Sequence, residues 1–390
     1  MTKSADTQTN IYQGTFRALR CWGLLLLFLV SVPLPCFPFN PSEKNFVFSA
    51  PLTVRWRFDV KETISFSPTS NDDSIYLPLS SGEIFSLRVT DGQLLWKTEI
   101  GGEFSASLVA DERGVYIASR ADDSTSSHQD THSNGIIRAL SRTTGITLWM
   151  RTLNSPIQAG LVLSETRLFG ASNDGRIYAF NKATGEILWV ARHASAFVSL
   201  PTVHKRRLYL GGEDGTLLAL DESTGAVAWR YRTHSALRGP VAIADHVIYF
   251  GSADGYVYAF SEINGRLLWR RRTGAAVQAV IHTNSGIIVT SLDNFVYLLS
   301  PQRGKLLWKR QLAGRIAALP LIDAQSALFA PLGGDACIVL SLRDGKQLNT
   351  LPVGQDGNTS SSPLVVDNLL LIPTRSGLKA FAPVSLNAQH

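Results

Sequence analysis

The sequence "NDGRIYAFNKATGEILW", Asn173 to Trp189, returns forty residues later as "EDGTLLALDESTGAVAW" and after forty more as "ADGYVYAFSEINGRLLW". Each copy has an Asp-Gly pair near its start, then an alternating apolar run, a Gly and a final Trp. Self-similarity at a fixed period of this length is typical of repeat folds. Equivalent residues recur along the chain at Trp56, Trp96, Trp149, Trp189, Trp229, Trp269 and Trp308.

The spacing of these Trp residues predicts the unit of the fold. Successive Trp are 39 or 40 residues apart, except that 53 residues separate Trp96 from Trp149, where an insertion occupies residues 120–134. Within each unit, four short apolar runs bounded by turn residues predict four β-strands. The Asp-Gly pair predicts a tight hairpin in which both residues take positive φ. Four antiparallel strands at this period predict a propeller blade.

Counting the units predicts a closed ring. Asn349 stands at the position that follows Trp308 in the series, and three further strand-like runs extend to about Pro383. These runs lack a fourth strand, whereas Leu52 to Val60 is a Trp strand with no unit of its own. Pairing the two removes an open sheet edge. We therefore predict an all-β, eight-bladed β-propeller of four-stranded antiparallel blades over residues 52–384, closed by the N-terminal strand.

The repeated Trp is interpreted as a structural residue. We expect the seven Trp side chains to fill the gaps between adjacent blades, and the preceding Gly to turn the chain into the outer strand. Loss of a buried Trp typically costs about 3–5 kcal/mol. An aromatic ladder that reads sugars or bases is the functional alternative, but such a ladder does not need one ring at the same place in every repeat.

Composition and charge indicate a globular protein and give little support to a nucleic-acid partner. The chain is 45% hydrophobic and 17% charged, which is typical of a globular protein. Its net charge of +6, part of it in the first forty residues, is small for 390 residues, so no nucleic-acid partner is predicted. Basic residues follow most of the Trp and are interpreted as protection of exposed strand edges. Cys337 is the one Cys of the body and is expected to be buried.

The N-terminus resembles an export signal. Arg17 and Arg20 precede an uncharged apolar stretch from Cys21 to Phe39, and this order predicts a signal or membrane-anchor segment over residues 1–39. Cleavage, retention as an anchor and lipidation at Cys36 all remain open. Each places the body outside the cytoplasm. Residues 40–51 are expected to be a linker and residues 385–390 a tail.

The repeat ends "TTGITLW", "ATGEILW" and "STGAVAW" resemble the Trp-docking repeat of propellers of the pyrroloquinoline quinone (PQQ) type. The resemblance extends from Leu52 to about Pro383 and implies the eight-bladed fold. Among exported relatives it is similar to the BamB-like outer-membrane assembly proteins. That similarity implies a non-catalytic scaffold at the cell envelope, monomeric within a larger assembly, that binds a protein partner through its propeller loops.

Two other functions are compatible with the same resemblance. One is a small PQQ-dependent oxidoreductase that also binds calcium, and the other is a ligand-sensing propeller. Many quinoprotein dehydrogenases carry an adjacent Cys-Cys pair over the cofactor and long roofing loops, and this chain has neither. No catalytic, cofactor-binding or metal-binding residue is therefore predicted.

Candidate binding residues come from the predicted inner strands. The ends of the central channel are where a propeller commonly binds its ligands, and the residues expected at this mouth are Gln158, Phe197, Arg238 and Arg315. In the insertion, His128 and His132 stand among Asp122, Asp123 and Asp130, and a polar loop is the preferred interpretation over a metal site. The basic run from His204 to Leu208 is interpreted as a solvated turn that offers contact with anionic headgroups.

Overall fold

The computed structural model of the chain describes residues 46–121, 134–354 and 356–384. The predicted N-terminal segment (1–39), most of the insertion (120–134) and the tail (385–390) lie outside the described residues. Within the described ranges, no helix has the length and apolar character needed to span a bilayer.

The described residues form eight four-stranded antiparallel sheets, which are the blades of a propeller, and the predicted fold class is confirmed. The first strand, β1 (Leu52–Asp59), belongs to the last blade. Blade 1 comprises β2 (Thr69–Ser70), β3 (Ser74–Pro78), β4 (Glu83–Arg88) and β5 (Leu94–Glu99). Blade 2 comprises β6 (Val109–Ala110), β7 (Val115–Arg120), β8 (Gly135–Leu140) and β9 (Thr147–Leu153). Blade 3 comprises β10 (Ile157–Leu163), β11 (Arg167–Ser172), β12 (Arg176–Asn181) and β13 (Ile187–Arg192).

The remaining blades continue in the same order. Blade 4 comprises β14 (Thr202–His204), β15 (Arg207–Gly211), β16 (Thr216–Asp221) and β17 (Val227–Arg232). Blade 5 comprises β18 (Ala242–Ala244), β19 (Val247–Gly251), β20 (Tyr256–Ser261) and β21 (Leu267–Arg272). Blade 6 comprises β22 (Val277–Thr283), β23 (Gly286–Ser291), β24 (Phe295–Leu299) and β25 (Leu306–Gln311). Blade 7 comprises β26 (Leu321–Ile322), β27 (Ser326–Phe329), β28 (Ala336–Ser341) and β29 (Gln347–Pro352).

Blade 8 joins the two ends of the chain. It comprises β30 (Leu364–Val366), β31 (Leu369–Thr374), β32 (Gly377–Pro383) and β1, in the sheet order β1-β32-β31-β30. Strand β1 pairs antiparallel with β32 from Leu52 opposite Pro383 to Asp59 opposite Gly377. The predicted closure by the N-terminal strand is confirmed. Because the outer strand of this blade comes from the other terminus, the last sheet cannot be completed without β1.

The hydrophobic core lies between the blades. One cluster joins Tyr116 and Trp149 of blade 2 to Ile157 and Phe180 of blade 3, and the next blade pairs repeat this arrangement. Apolar side chains on both faces of the middle strands supply these clusters, which explains why those strands are apolar along nearly their whole length. Burial between sheets is the main stabilising contribution to the fold.

Each Trp side chain contacts the following blade. Its Nε1 donates a hydrogen bond of 2.8–3.3 Å to a backbone carbonyl there. The indole ring is thereby held flat against the turn that precedes the next outer strand. The seven acceptors are the carbonyls of Val89, Arg142, Lys182, Glu222, Glu262, Pro301 and Leu342.

The same turn presents a Gly to the indole ring. All seven of these Gly residues have φ between +62° and +72°. A Cβ built on any of them would lie 2.4–2.7 Å from the ring of the preceding blade's Trp. Positive φ and close approach both favour Gly. Gly is therefore required at this position both by the turn and by the close approach of the indole ring. The seven residues are Gly92, Gly145, Gly185, Gly225, Gly265, Gly304 and Gly345.

The Asp-Gly hairpins differ from the prediction. At Asp174-Gly175, Asp214-Gly215 and Asp254-Gly255 only the Gly has positive φ. The Asp side chain instead accepts a hydrogen bond from the amide two residues on, an Asx contact that holds the Asp at negative φ. Two consecutive residues with positive φ occur at other hairpins, between the first and second strands of blades 4, 5 and 8.

The contact between blades 7 and 8 has no Trp. Asn349 stands at this position, and its Nδ2 donates to the carbonyls of Phe48 and Ala50, both at 3.0 Å. Phe46 and Phe48 are buried in the core cluster that includes Phe381 of blade 8. The described part of the predicted linker is thus packed against the propeller, and two Phe side chains lie where the ring has no indole.

We expect the contact between Trp189 and Gly225 to contribute several kcal/mol to stability. Trp189→Ala removes a large apolar side chain and should lower the free energy of unfolding by about 3–5 kcal/mol. Gly225→Ala should also destabilise, since the methyl group would overlap the ring. Denaturant unfolding of both single variants and the double variant measures their coupling.

The matched control is Gly101→Ala, because Gly101 also has positive φ (+62°) but has no atom within 4 Å of a built Cβ. In the Trp189→Ala background the cost of Gly225→Ala should fall to that of the control, with a coupling of about 0.5–3 kcal/mol. Strictly additive costs would contradict the proposed docking role of the indole.

Candidate interaction surface

The predicted channel mouth has a regular construction. Each blade begins at its inner edge with one buried residue. The residue that follows it occupies the same place in every repeat, and in blades 3 and 5 it is Gln158 and Arg238, two of the predicted mouth residues. The buried residues are Ile64, Phe104, Ile157, Phe197, Leu237, Val277, Ile316 and Asn358. The residues that follow them are Ser65, Ser105, Gln158, Val198, Arg238, Gln278, Ala317 and Thr359.

Phe197 requires a correction. It is 0% exposed and lies in the core cluster between blades 3 and 4, where its ring centroid is 5.6 Å from that of His193. The residue at this position of the repeat is buried in every blade, and the Phe197 backbone also bridges to Gly212, directly after β15. Phe197 therefore offers no surface to a ligand in the channel.

The other three candidates are not brought together. Gln158 belongs to blade 3, Arg238 leads into blade 5 and Arg315 leads into blade 7. Arg238 is exposed, and its guanidinium lies 3.4 Å from the Glu213 carboxylate of blade 4. No contact joins any two of the three among the described residues. Of the eight residues that follow the buried positions, six are polar and Arg238 is the one with a charge.

A cavity lies beside the first described residues, 46–48. Its volume is about 780 Å³, and Phe46, Phe48, Leu321, Asp323 and Leu364 are among its lining residues. Asp323 is its acidic side chain, but the carboxylate already accepts hydrogen bonds from the Phe48 amide and from residues of its own turn. The rest of the wall is uncharged, with Thr283, Asn284 and Gln325 beside apolar residues, so the cavity suits an uncharged group rather than a charged one.

The basic turn from His204 to Leu208 is partly neutralised. The Glu262 carboxylate of blade 5 is 7% exposed and lies 3.4 Å from His204 Nε2, 3.2 Å from His246 Nδ1 and 3.8 Å from Lys205 Nζ. Burial lowers the pKa of His204, and the Glu262 charge opposes this shift. The Glu262 carbonyl also accepts the Trp229 indole hydrogen bond. This cluster therefore acts as an inter-blade contact.

The described residues provide no obvious metal or nucleophile site. Nowhere in ranges 46–121, 134–354 and 356–384 do three His, Cys, Asp or Glu side chains lie close enough together to hold a metal ion. The predicted candidates of the insertion, His128 and His132 with Asp122, Asp123 and Asp130, lie outside the described residues. Cys337 is fully buried, and burial raises the pKa of its thiol to about 12, so it is not a nucleophile at neutral pH.

The outer strands form a rim with open edges. In each sheet the Trp strand is last in order, and no strand of the described chain pairs with its outer edge. The residue directly after the Trp position is polar or cationic in six blades, at Arg57, Lys97, Arg230, Arg270, Lys309 and Thr350. In blades 2 and 3 it is Met150 and Val190.

Blades 2 and 3 therefore differ from the rest of the ring at the position after the Trp. Six apolar side chains on or directly before their outer strands are each 41–67% exposed, whereas in the other blades the exposed apolar residues, such as Leu95, Leu268 and Leu307, are followed after the Trp position by a cation or Thr. Contiguous exposed apolar residues on a folded protein mark interaction sites more often than isolated ones do. These six residues are named the apolar rim: Ile146, Leu148, Met150, Ile187, Leu188 and Val190.

The sequence contained the signal for this surface. Once the Trp strand is assigned to the outside of the blade, Met150 and Val190 stand out in a column that is otherwise polar. Glu262, Phe46 and Phe48 gave no such signal, because their roles depend on contacts between residues in different blades or at opposite ends of the chain.

The sequence profile of the family described as "Outer membrane protein assembly factor BamB" matches residues 133–279 and 233–382. Together these two matches cover more than half of the chain. A search of curated protein sequences gave no match.

Several solved structures share the fold at low sequence identity. The crystal structure of BamB from Moraxella catarrhalis superposes with a TM-score of 0.71 at 18% identity, covering 85% of this chain and 99% of that chain. The computationally designed Ika8 protein gives a TM-score of 0.71 at 17% identity, with coverages of 84% and 99%. Quinohemoprotein alcohol dehydrogenase from Comamonas testosteroni gives 0.68 at 11% identity, with coverages of 87% and 77%.

A BamB protein, a designed protein and an alcohol dehydrogenase thus share this architecture, and likeness at such identities shows the fold alone. The sequence profile goes further than the fold, because it matches the chain over most of the repeats. The chain belongs to the BamB family of outer membrane protein assembly factors.

Proposed function

We propose that the chain is a non-catalytic scaffold that binds a protein partner at the cell envelope through the apolar rim. The observation that carries this proposal is the exposure of six large apolar side chains on or directly before the outer strands of blades 2 and 3, where Met150 and Val190 replace the polar or cationic residue of the other blades. Family membership supports the general class. The sequence suggested the propeller loops as the binding elements, but the exposed apolar groups favour the outer strands.

Strand addition is the binding mode that fits this surface. The outer edge of β9 and β13 leaves backbone N–H and C=O groups without a strand partner, and an extended segment of another protein can pair with such an edge. Backbone hydrogen bonds would supply affinity, and the apolar side chains would select a partner strand with apolar residues. In blade 4 the equivalent edge carries Arg230 in place of Val190, and this charge disfavours an apolar partner strand.

The location follows from the N-terminal segment and the family. Arg17 and Arg20 before an apolar run predict export, and the body then lies in the periplasm or at another extracytoplasmic site. Association with the membrane through the N-terminus would leave the propeller free to act as a monomer within a larger assembly. No nucleic-acid partner is proposed.

Site-specific photo-crosslinking tests the partner surface. A benzoylphenylalanine placed at Met150 or Val190 in the full chain, expressed in its native envelope, should give a discrete cross-linked protein. The same probe at Arg230, the equivalent position of blade 4, is the matched control and should give none. Leu148→Lys with Leu188→Lys should abolish the product, because two buried ammonium groups would oppose the interface.

Equal products at Arg230 and Met150 would contradict the assignment to the apolar rim. A product that survives the double Lys variant would do the same. Thermal unfolding of the double variant checks the fold, and exposed side chains of this kind should change stability by no more than about 0.5 kcal/mol.

A PQQ-dependent oxidoreductase is not favoured by the side chains present. A cofactor of that size needs an enclosed site with several placed polar groups, and among the described residues no contact joins the polar candidates Gln158, Arg238 and Arg315. The described residues hold no carboxylate cluster for calcium. Cys337, the body's one thiol, is buried rather than facing the channel.

Titration of the full chain with PQQ and Ca²⁺ tests this exclusion. Trp fluorescence should not change in a saturable way, and dye reduction with small alcohols should stay at background. Saturable micromolar binding with turnover would establish the enzyme instead. Binding without turnover would favour the ligand-sensing alternative.

A further inference from the structure

The outer strands of blades 4, 5 and 6 are strongly basic. Strands β17, β21 and β25 end in "RYR", "RRR" and "KRQ", and none of the three contains an Asp or Glu. The cations follow the Trp directly and lie on consecutive blades of the ring. The seven residues are named the basic band: Arg230, Arg232, Arg270, Arg271, Arg272, Lys309 and Arg310.

Little of this charge is neutralised by the protein. Among the described residues, Arg232 is the one member with a carboxylate within 4.0 Å, that of Asp214 at 3.9 Å. By contrast, the cations after Trp96 and Trp56 have carboxylates nearby, with Lys97 3.3 Å from Glu83 and Arg57 3.2 Å from Asp59. The band is therefore a local excess of positive charge rather than a general feature of the rim.

Three members of the band are oriented by aromatic rings or backbone carbonyls, which do not neutralise their positive charge. Arg270 lies 5.1 Å from the ring centroid of Tyr256, and Lys309 lies 4.9 Å from that of Phe295. Arg310 donates to the carbonyls of Gly345 and Asp344. Aromatic faces and carbonyls orient a cation without cancelling its net charge. The outer strands consequently present fixed positive groups to solvent.

Protection of strand edges does not account for this distribution. One charged residue is enough to disfavour pairing with another strand, yet β21 carries three consecutive Arg. Blades 2 and 3 have the same open edges but carry one cation each, Arg151 and Arg192, and have Met150 and Val190 directly after the Trp. A requirement common to all edges would have produced the same residue types in every blade.

We propose that the basic band binds the anionic surface of a lipid bilayer. The sequence supplies the reason to choose this occupant: an apolar run ends at Phe39, and six residues separate it from Phe46, the first described residue of the body. Six residues span at most about 20 Å. A chain held in a bilayer by that run keeps its body close to the headgroups, where a basic surface is attracted.

The two contacts would act together. A single weak membrane attachment is reversible, and a hydrophobic insertion combined with a polybasic surface binds stably. The band would also fix which side of the ring faces the bilayer. It would leave blades 2 and 3 on another part of the rim for the proposed partner. This inference rests on the N-terminal run and not on the apolar rim, so each can fail without the other.

Fluorescence quenching in reconstituted vesicles tests the proposal with the full chain. Gln311→Cys, within β25, carries an environment-sensitive dye, while Cys21→Ser and Cys36→Ser leave Cys337, which is buried. The vesicles contain phosphatidylcholine alone or with about 30% phosphatidylglycerol, together with a lipid that bears a quencher on its headgroup. Quenching should rise by at least about threefold in the anionic vesicles.

A dye at another blade and the removal or screening of the band's charge show whether the response is specific to the basic band. The same dye at Gln93→Cys, next to the blade 1 outer strand, should respond to neither lipid composition. Arg270→Gln with Arg271→Gln and Arg272→Gln should reduce the anionic effect to that of neutral vesicles, as should about 1 M salt, where the Debye length is about 3 Å. The salt comparison needs no substitution in the band.

Equal quenching in neutral and anionic vesicles would overturn the proposal and favour an acidic protein as the occupant of the band. An anionic effect that persists in the triple Gln variant and in high salt would overturn it as well. An equal response at the blade 1 dye would show attraction of the whole propeller rather than of the band.

Discussion

The contact between an indole ring and a Gly of the next blade is the interaction on which the ring depends. It places a large apolar group in the gap where two twisted sheets diverge, and its Nε1 hydrogen bond fixes the ring against the backbone of the next blade. The same two residue types, Trp and Gly, make this contact at seven blade junctions, so the contact does not depend on the residues of the loops or of the exposed rim. Positions such as Met150 and Arg270 can therefore vary without disturbing the ring.

The one place without an indole is where the chain closes. Between blades 7 and 8 the gap is filled by Phe46 and Phe48, and Asn349 accommodates the backbone of the entering chain through two hydrogen bonds. A Trp there would compete with the N-terminal segment for the same space. Closure thus has two parts: β1 completes the last sheet, and the residues before it complete the last gap between blades.

The fold could be predicted from the sequence because each repeat unit carries the Trp and the Gly that the contact between blades requires. The Trp spacing determined the blade count, and the unpaired Trp strand at Leu52 predicted closure. Phe197 was misplaced because alternation of apolar residues cannot tell the channel side of a short inner strand from its core side. The burial of Phe46 and Phe48 depends on contact with residues nearly 300 positions away. The rim surfaces became visible only after the outer strand of each blade was known.

Native-state hydrogen exchange of the full chain, read by mass spectrometry, tests most directly whether the eight blades form one closed ring. Hydrogen-bonded amides of β1 and β32 should be protected to within about tenfold of those in β11 and β12, because all of them open only when the ring opens. If the amides of β1 and β32 exchange more than about a hundredfold faster while the middle blades stay protected, blade 8 opens independently and the closed, cooperative ring is contradicted.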